Sequence, residues 1–241
     1  MRSDLTSQHL ELHRNILNEL GHTLGAGARV LDFGCGAGNM VEEYCAAGYD
    51  AFGCDIRLAP TSERVRPIDE KTGSLPFADA TFDFVFSDQV LEHVQDHVRA
   101  FAEIARVMKP SAISLHIFPA KLKPIESHLF VPLGGLIKSR WWLTLWASLG
   151  VRNSFQKGKR VPEVVALNSD YLRHRTNYLS RSQVEEAVAT SFDNLVFAER
   201  HMIKHTYGNA RHIYPLVRVF PGAASLYSTF YSRVIFLQKS Y

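Results

Sequence analysis

The segment Val30-Leu31-Asp32-Phe33-Gly34-Cys35-Gly36-Ala37-Gly38-Asn39 constrains this chain more than any other. An apolar run that starts at Arg29 and ends at Phe33 reads as a short buried strand. It stops abruptly in a loop where every second residue is glycine. Asn39–Gly48 then reads as a helix closed by its terminal glycine, and Tyr49–Ile56 as a second strand. Strand, glycine loop, helix, strand with short connections favours a parallel, right-handed crossover. A chain built around such a unit is of the α/β class, with a parallel sheet and helices on both faces.

The pattern continues on both sides. Leu5, Leu12, Ile16, Leu17 and Leu20 fall at roughly helical spacing before a stop at Gly21. Arg57–Ser74 reads as polar and irregular, and Thr81–Ser87 as a third clear strand. Val90, Leu91, Val94, Val98 and Phe101 give one helix an apolar face, and the helix runs on to Met108 until Lys109-Pro110 breaks it. Ala112–Phe118 is a further strand, closed by Pro119. From Pro119 to about Leu179 the alternation stops, and the stretch is rich in aromatic, proline and basic residues. Ser180–Ser191 reads as a helix with Ser180 as its N-cap, and Leu195–His201 and Arg233–Lys239 as strands.

Glycines between a strand and a helix let the backbone turn sharply and come close to a ligand without a Cβ in the way. The free N–H groups at the start of the helix suit a carboxylate or a phosphate. A dinucleotide site wants G-x-G-x-x-G, but here Asn39 holds the third glycine's place and Gly38 comes one residue early. No G-K-[ST] follows, so the loop is not a P-loop. A nicotinamide-dependent dehydrogenase is the reading left over from this comparison.

The ordered set decides more than the loop. Val30–Asn39 is followed by an acidic residue at Asp55, then Leu75-Pro76-Phe77, Thr81-Phe82-Asp83-Phe84-Val85, Leu91-Glu92-His93-Val94 and Glu103–Pro110. In this order and spacing, residues 25–120 resemble the class I S-adenosylmethionine-dependent methyltransferase family, in its small-molecule, methyltransferase-11-like form. The resemblance implies a Rossmann-like, seven-stranded, mostly parallel sheet with helices on both faces and a lid insertion after strand five. The division it suggests is 1–118 for cofactor binding, 119–179 for the lid, and 180–241 to complete the sheet.

For the site, the resemblance implies that S-adenosylmethionine is the cofactor and S-adenosylhomocysteine the product. Asp32 would face the amino-acid part of the cofactor, and Gly34, Cys35 and Gly36 would wrap its methionine moiety. Asp55 would take both ribose hydroxyls. Ile56 would pack on the adenine, which Gly73, Ser74 and Leu75 would also border. Ser87, Asp88 and Gln89 would close the site from strand four. Asp32 capping the next helix, and Asp55 as a solvated strand-end residue, are the competing structural readings. Lys71 and Thr72 stand where many relatives carry an acidic residue for the adenine amino group. Pro110-Ser111-Ala112 replaces the usual Pro-Gly-Gly.

Methyl transfer needs nucleophile, methyl and sulfur held in line in a dry site, and an oxygen nucleophile also needs a base. Ligands of open α/β sheets lie beyond the carboxyl ends of the strands, where the insertion leaves the sheet. Within it, His128 is the candidate general base, oriented by Glu126, against a plain loop-ordering role for the cluster. Tyr171, His174 and Tyr178 are further lining candidates, and His93 reads as a helix residue with a local hydrogen bond. Metal ligation by His128 and Glu126 lacks an evident third ligand, so no metal is expected.

Residues 133–149 hold Trp141, Trp142 and Trp146 beside Lys138 and Arg140. An amphipathic stretch of this kind suits peripheral contact with a membrane or a lipid-like substrate, or packing of the lid on the core. Ile213–Tyr231 carries the same two readings.

Composition narrows the partners. A chain of 241 residues with 46% hydrophobic and 21% charged residues is globular, not disordered. A net charge of +3 is too small for a nucleic-acid coat, so no nucleic-acid partner is expected. Three cysteines without a C-x-x-C pair give neither a disulfide framework nor a zinc site, which points to reduced thiols in the cytoplasm. The N-terminus lacks a signal-type apolar stretch, and no apolar run spans a membrane. The expected activity is therefore methylation of a small-molecule, glycan or lipid-like acceptor. RNA or protein methylation, or cofactor binding without transfer, are the alternatives.

Overall fold

The computed structural model describes residues 2–56, 63–220 and 222–239, with side chains from residue 6 onward. Its centre is a sheet of seven strands: β1 (Arg29–Phe33), β2 (Asp50–Asp55), β3 (Val65–Pro67), β4 (Phe82–Asp88), β5 (Met108–Pro119), β6 (Asn194–Phe197) and β7 (Ser232–Gln238). Their spatial order is β3-β2-β1-β4-β5-β7-β6. Only β7 runs against the rest, since both of its neighbours pair with it antiparallel while the other pairings are parallel. The expected seven-stranded, mostly parallel sheet is what forms.

Strand residues alternate between two apolar layers because successive side chains point to opposite faces. Leu31, Phe33, Val85, Ile235 and Leu237 pack on one face, with Phe101 and Ile104 of α3 (His97–Val107) and Val184 and Val188 of α6 (Arg181–Val188). Val30, Phe84, Phe86, Leu115, Val234 and Phe236 pack on the other, against Ile16 and Leu17 of α1 (Arg2–Glu19) and Val41 and Tyr44 of α2 (Asn39–Ala46). By the same alternation Asp32 shares the face of Val30, and Asp88 that of Phe84 and Phe86. Two carboxylates thus sit on the α1 face at the carboxyl ends of adjacent strands.

Several sequence boundaries shift for local reasons. The stretch Arg57–Ser74, read as irregular, contains β3, while residues 57–62 lie outside the described ones. The helix read from Val90 is two pieces: a 3-10 turn at Leu91–His93, then α3, whose N-cap Asp96 accepts from the Arg99 N–H. β5 starts four residues early, and Lys109-Pro110 does not end a helix at a turn but enters the sheet. The β4–β5 register slips between Phe82 and Phe84, and Ser111 takes a φ of 62°. Such a bulge accommodates a proline that cannot donate to the ladder. The strand read over Leu195–His201 ends at Phe197, where its pairing with β7 runs out at Ile235. The chain then turns into α7 (Glu199–His205). Glu19 of α1 holds that helix through His201, Lys204 and His205. Burial alone would raise the Glu19 carboxyl, but these three partners bring it down to about 2.

The insertion after β5 is not irregular. It contains α4 (Arg140–Ser148) and α5 (Val161–His174), which enclose a small core of Leu129, Val131, Leu143, Ala147, Val164, Val165 and Leu172. Trp142 donates to the Pro132 carbonyl at 2.7 Å and packs with Trp146 against this core, whereas Trp141 stays 65% exposed. Between α7 and β7 the chain forms α8 (Tyr214–Val219) and α9 (Gly222–Phe230), with a core of their own around Ile203, Val217 and Tyr227. Among the described residues no helix is long and apolar enough to cross a membrane.

Ser180 caps α6 as read: its Oγ accepts from the Gln183 N–H, and the Gln183 side chain accepts from the Ser180 N–H. Replacing Ser180 with alanine is expected to lower global stability by about 1 kcal/mol. Urea unfolding checks this, and an unchanged midpoint would show the cap to be idle.

Candidate functional site

At the carboxyl ends of β1, β2 and β4 the chain forms a cleft of about 450 Å³. Its floor is the glycine loop. Gly34 has a φ of 83°, and a Cβ there would lie 2.4 and 2.5 Å from the Val90 methyls, so only glycine fits. The loop also leans on β2, where a Cβ on Gly53 would meet Cys35 Sγ at 2.6 Å. Close packing of Cys35 on Gly53 was not signalled by any motif. Burial pushes the Cys35 thiol up to about 12, so it is no nucleophile.

The expected cofactor residues separate into three groups. Gly34, Asp55, Ile56, Gly73 and Gln89 line the cleft directly. Asp55 reaches back from the end of β2 and accepts the Gly36 N–H at 3.0 Å, which fixes its carboxylate over the loop. Gln89 sits at φ 57°, a backbone region that costs a non-glycine residue energy and recurs at functional sites.

Asp32 is buried at the end of β1, and Cys35 and Gly36 belong to the loop itself without lining the cleft. Asp32 is 5% exposed. Burial, with Asp88 and Asp55 nearby, raises its carboxyl well above the usual range. It does not cap α2, whose first turn has no side-chain cap.

Ser74, Leu75 and Asp88 are not among the residues that line the cleft. Asp69 accepts from the Lys71 and Thr72 N–H groups and folds the turn so that Gly73 borders the cleft. Leu75 then enters the core, its N–H donating to Glu103. Asp88 lies 3.0 Å from His9 Nδ1 and 3.3 Å from His13 Nε2, both on α1. Burial works against its charge, but these imidazoles hold the Asp88 carboxyl well below the usual carboxylate range. Val90, Arg99 and His93 line the cleft without having been singled out for it. Arg99 is one turn into α3, a position that helical periodicity marks as surface and nothing more.

Beyond His93 the cleft meets the segment inserted after β5. The Asn177 N–H donates to the Glu92 carbonyl at 2.7 Å, and its side chain donates to the Gln95 carbonyl. The lid loop brings His128 to this seam, its ring centroid 4.9 Å from that of His93 and 5.5 Å from that of Tyr171. Glu126 does not orient the His128 ring. Its carboxylate accepts the backbone N–H groups of His128 and Leu129 and the Tyr178 hydroxyl. A carboxylate two residues before the histidine reaches its own loop backbone more easily than the imidazole. The carboxylate facing that imidazole is Glu92, 3.8 Å from Nε2. Glu92 raises the His128 pKa, against the lowering effect of burial. His174 is not part of this seam among the contacts that form it.

The glycine loop, the acidic end of β2 and a sheet reversed only at β7 coincide with a match to known proteins. Residues 31–115 match the family described as methyltransferase domain. Over that stretch the chain carries a methyltransferase domain. That domain runs from β1 into β5 and stops short of the lid. A demethylmenaquinone methyltransferase of Renibacterium salmoninarum is 41% identical over 90 residues, 35% of this chain and 38% of that protein. A ubiquinone biosynthesis O-methyltransferase of Aliivibrio fischeri is 31% identical over 121 residues, 45% and 50% of the two chains. A malonyl-[acyl-carrier protein] O-methyltransferase of Erwinia billingiae is 31% identical over 139 residues, 50% and 55%. The matches thus span about half, or less, of these relatives' length. Among solved structures, phosphoethanolamine N-methyltransferase 2 of Haemonchus contortus aligns over 95% of this chain and 52% of its own, with a TM-score of 0.52 and 15% identity. An S-adenosylmethionine-dependent methyltransferase of Mesorhizobium loti aligns over 92% and 95%, with a TM-score of 0.52 and 14% identity. At such identities the likeness is one of fold.

Proposed function

We propose that this chain transfers a methyl group from S-adenosylmethionine to a hydroxyl of a small-molecule acceptor. The observation that carries this reading is the cleft, in which the Gly34 loop, a carboxylate at the end of β2 and an apolar wall converge. Asp55 there suits the two ribose hydroxyls, since one carboxylate accepts two donors. Ile56, half exposed at the cleft edge, and Ile68 suit the adenine faces. The relatives' names favour small acceptors, two of them for O-methylation.

Asp32 gives the reading a proton linkage. A buried carboxyl with a raised pKa is protonated in the free protein over a wider pH range than an exposed one. A cationic ammonium arriving beside it stabilises the ionised form. Binding therefore releases a proton at pH values below the raised pKa, and affinity grows with pH until that pKa is passed. Calorimetry of S-adenosylhomocysteine in two buffers of different ionisation enthalpy is expected to show this release, and Asp32→Asn to remove it. Equal heats in both buffers for the native chain would exclude Asp32 as the ammonium partner.

The acceptor side is the seam of Glu92, His93, His128 and Tyr171, where the cleft ends against the lid. This cluster, in place of the His128–Glu126 pair, is where an acceptor hydroxyl loses its proton. The exposed Trp141, Leu145, Leu149 and Phe155 on the outer lid fit a partly apolar acceptor delivered from a membrane surface. Methyl transfer from labelled S-adenosylmethionine to a panel of phenols, catechols, sugars and lipid hydroxyls tests the reaction class. Label appearing only in amines, RNA or protein would overturn it.

A further inference from the structure

Glu92 poses a problem that the methyl-transfer cleft does not solve. Its side chain is fully buried, yet neither carboxylate oxygen has a hydrogen-bond partner. A buried, unpaired carboxylate is costly. The groups facing it are His93 Nε2 at 3.9 Å and His128 Nε2 at 3.8 Å, too far for hydrogen bonds.

The tautomer of His93 sharpens the problem. Its Nδ1 lies 2.7 Å from the Arg175 carbonyl oxygen. A carbonyl only accepts, so Nδ1 carries the hydrogen. In the neutral ring the lone pair is then on Nε2, which lies 3.9 Å from the Glu92 carboxylate. His128 Nε2 is likewise buried without a partner. The Glu92 carboxylate and the His93 lone pair thus face one another across a gap, and something positive belongs between them.

Distance decides what. A proton shared between nitrogen and oxygen pulls them to roughly 2.7–2.9 Å. A metal ion sits about 2.0–2.2 Å from each imidazole nitrogen or carboxylate oxygen. Two ligands about 2.1 Å from one tetrahedral ion stand roughly 3.4 Å apart, so the separations of 3.8 and 3.9 Å close around an ion with shifts of a few tenths of an ångström, against about 1 Å for a shared proton. The three ligand atoms lie within 4.8 Å of one another, and no other such trio occurs among the described residues. His93 also has the support expected of a ligand, a backbone carbonyl on its far nitrogen that fixes ring and tautomer.

We propose that Glu92, His93 and His128 form a divalent-cation site that clamps the lid to the 3-10 turn after β4. Two imidazoles and one carboxylate suit Zn²⁺, Mn²⁺, Co²⁺ or Fe²⁺ and leave coordination positions open. His93 also borders the cleft, so an open position points toward the proposed methyl donor. An acceptor hydroxyl bound there gives its proton to water. Its oxygen lone pair then forms the new O–CH3 bond as the C–S bonding pair returns to sulfur. This last step rests on the methyl-transfer reading, but the cation site does not.

The test therefore needs no turnover. Chelator-treated chain is titrated with ZnSO4, MnCl2 or CoCl2 alone, by calorimetry and, for Co²⁺, by its visible absorption. One equivalent is expected to bind. Glu92→Gln and His128→Gln are each expected to weaken it by at least about 10–100-fold. His201→Ala, in the α1–α7 cluster, serves as control and leaves it unchanged. His128 sits on a half-exposed loop, so its variant reports even if Glu92→Gln fails to fold. S-adenosylhomocysteine titration of the same variants, expected unchanged, separates loss of the ion from loss of the fold or of the donor site. Uptake of none of the three ions by the native chain overturns the proposal, as does an equivalent retained by both variants.

Discussion

Asp55→Ala is expected to weaken binding of S-adenosylhomocysteine by about 10²–10⁴-fold while leaving the fold intact. The side chain accepts the Gly36 N–H at 3.0 Å and lines the cleft. Two charge-assisted hydrogen bonds to ribose hydroxyls, at about 1.5–3 kcal/mol each, account for that range. Losing the Gly36 contact also frees the loop proposed to hold the methionine moiety. Asp55→Asn keeps one acceptor oxygen and should fall between the two. Circular dichroism and calorimetry on the same samples separate affinity from folding. An alanine variant that binds like the native chain would mean that the ribose lies elsewhere.

His128→Ala is expected to cost about 10²–10⁴-fold in turnover, the range for losing acid–base or equivalent activation of a hydroxyl. Its affinity for the donor should stay within about twofold, because Gly34 packs on Val90 and Asp55 accepts from Gly36, both outside residues 119–179. The contrast with Glu126 is informative. Glu126 holds the backbone of the His128 loop and the Tyr178 hydroxyl, so Glu126→Gln should lower lid stability and turnover together. Single-turnover rates with saturating donor, beside a thermal melt, distinguish the two. Turnover by His128→Ala equal to the native rate would remove the seam from the acceptor site.

The glycine-loop side of the cleft was legible in the sequence because its physics is local. A strand that ends in Gly34, a helix that starts at Asn39 and an acid at the end of the next strand are fixed by neighbours in the chain. They share one backbone path, and the glycines are demanded by φ or by close approach to Val90. Ser180 was legible for the same reason, since a cap is satisfied three residues away.

Tertiary relations were not. Asp88 belongs by sequence to the end of β4, but its partners His9 and His13 come from α1, some eighty residues earlier. Leu75 sits in a motif associated with the cofactor, yet the Asp69 turn sends it into the core. Glu126 and His128 are two residues apart, which suggested a pair, while the ring of His128 meets Glu92 across 36 positions. Glu92 and His93 were read as members of the ordered motif set, and His93 as a helix residue with a local hydrogen bond. Their chemistry depends on the lid folding back over the 3-10 turn, and the lid's own helices were hidden by its prolines and aromatics.

The central claim concerns the donor, and one titration addresses it. Calorimetry of the purified chain with S-adenosylmethionine should give a single saturable site that S-adenosylhomocysteine competes for and a nicotinamide dinucleotide does not. Absence of heat and of competition at millimolar donor, with the chain shown to be folded, would contradict the account.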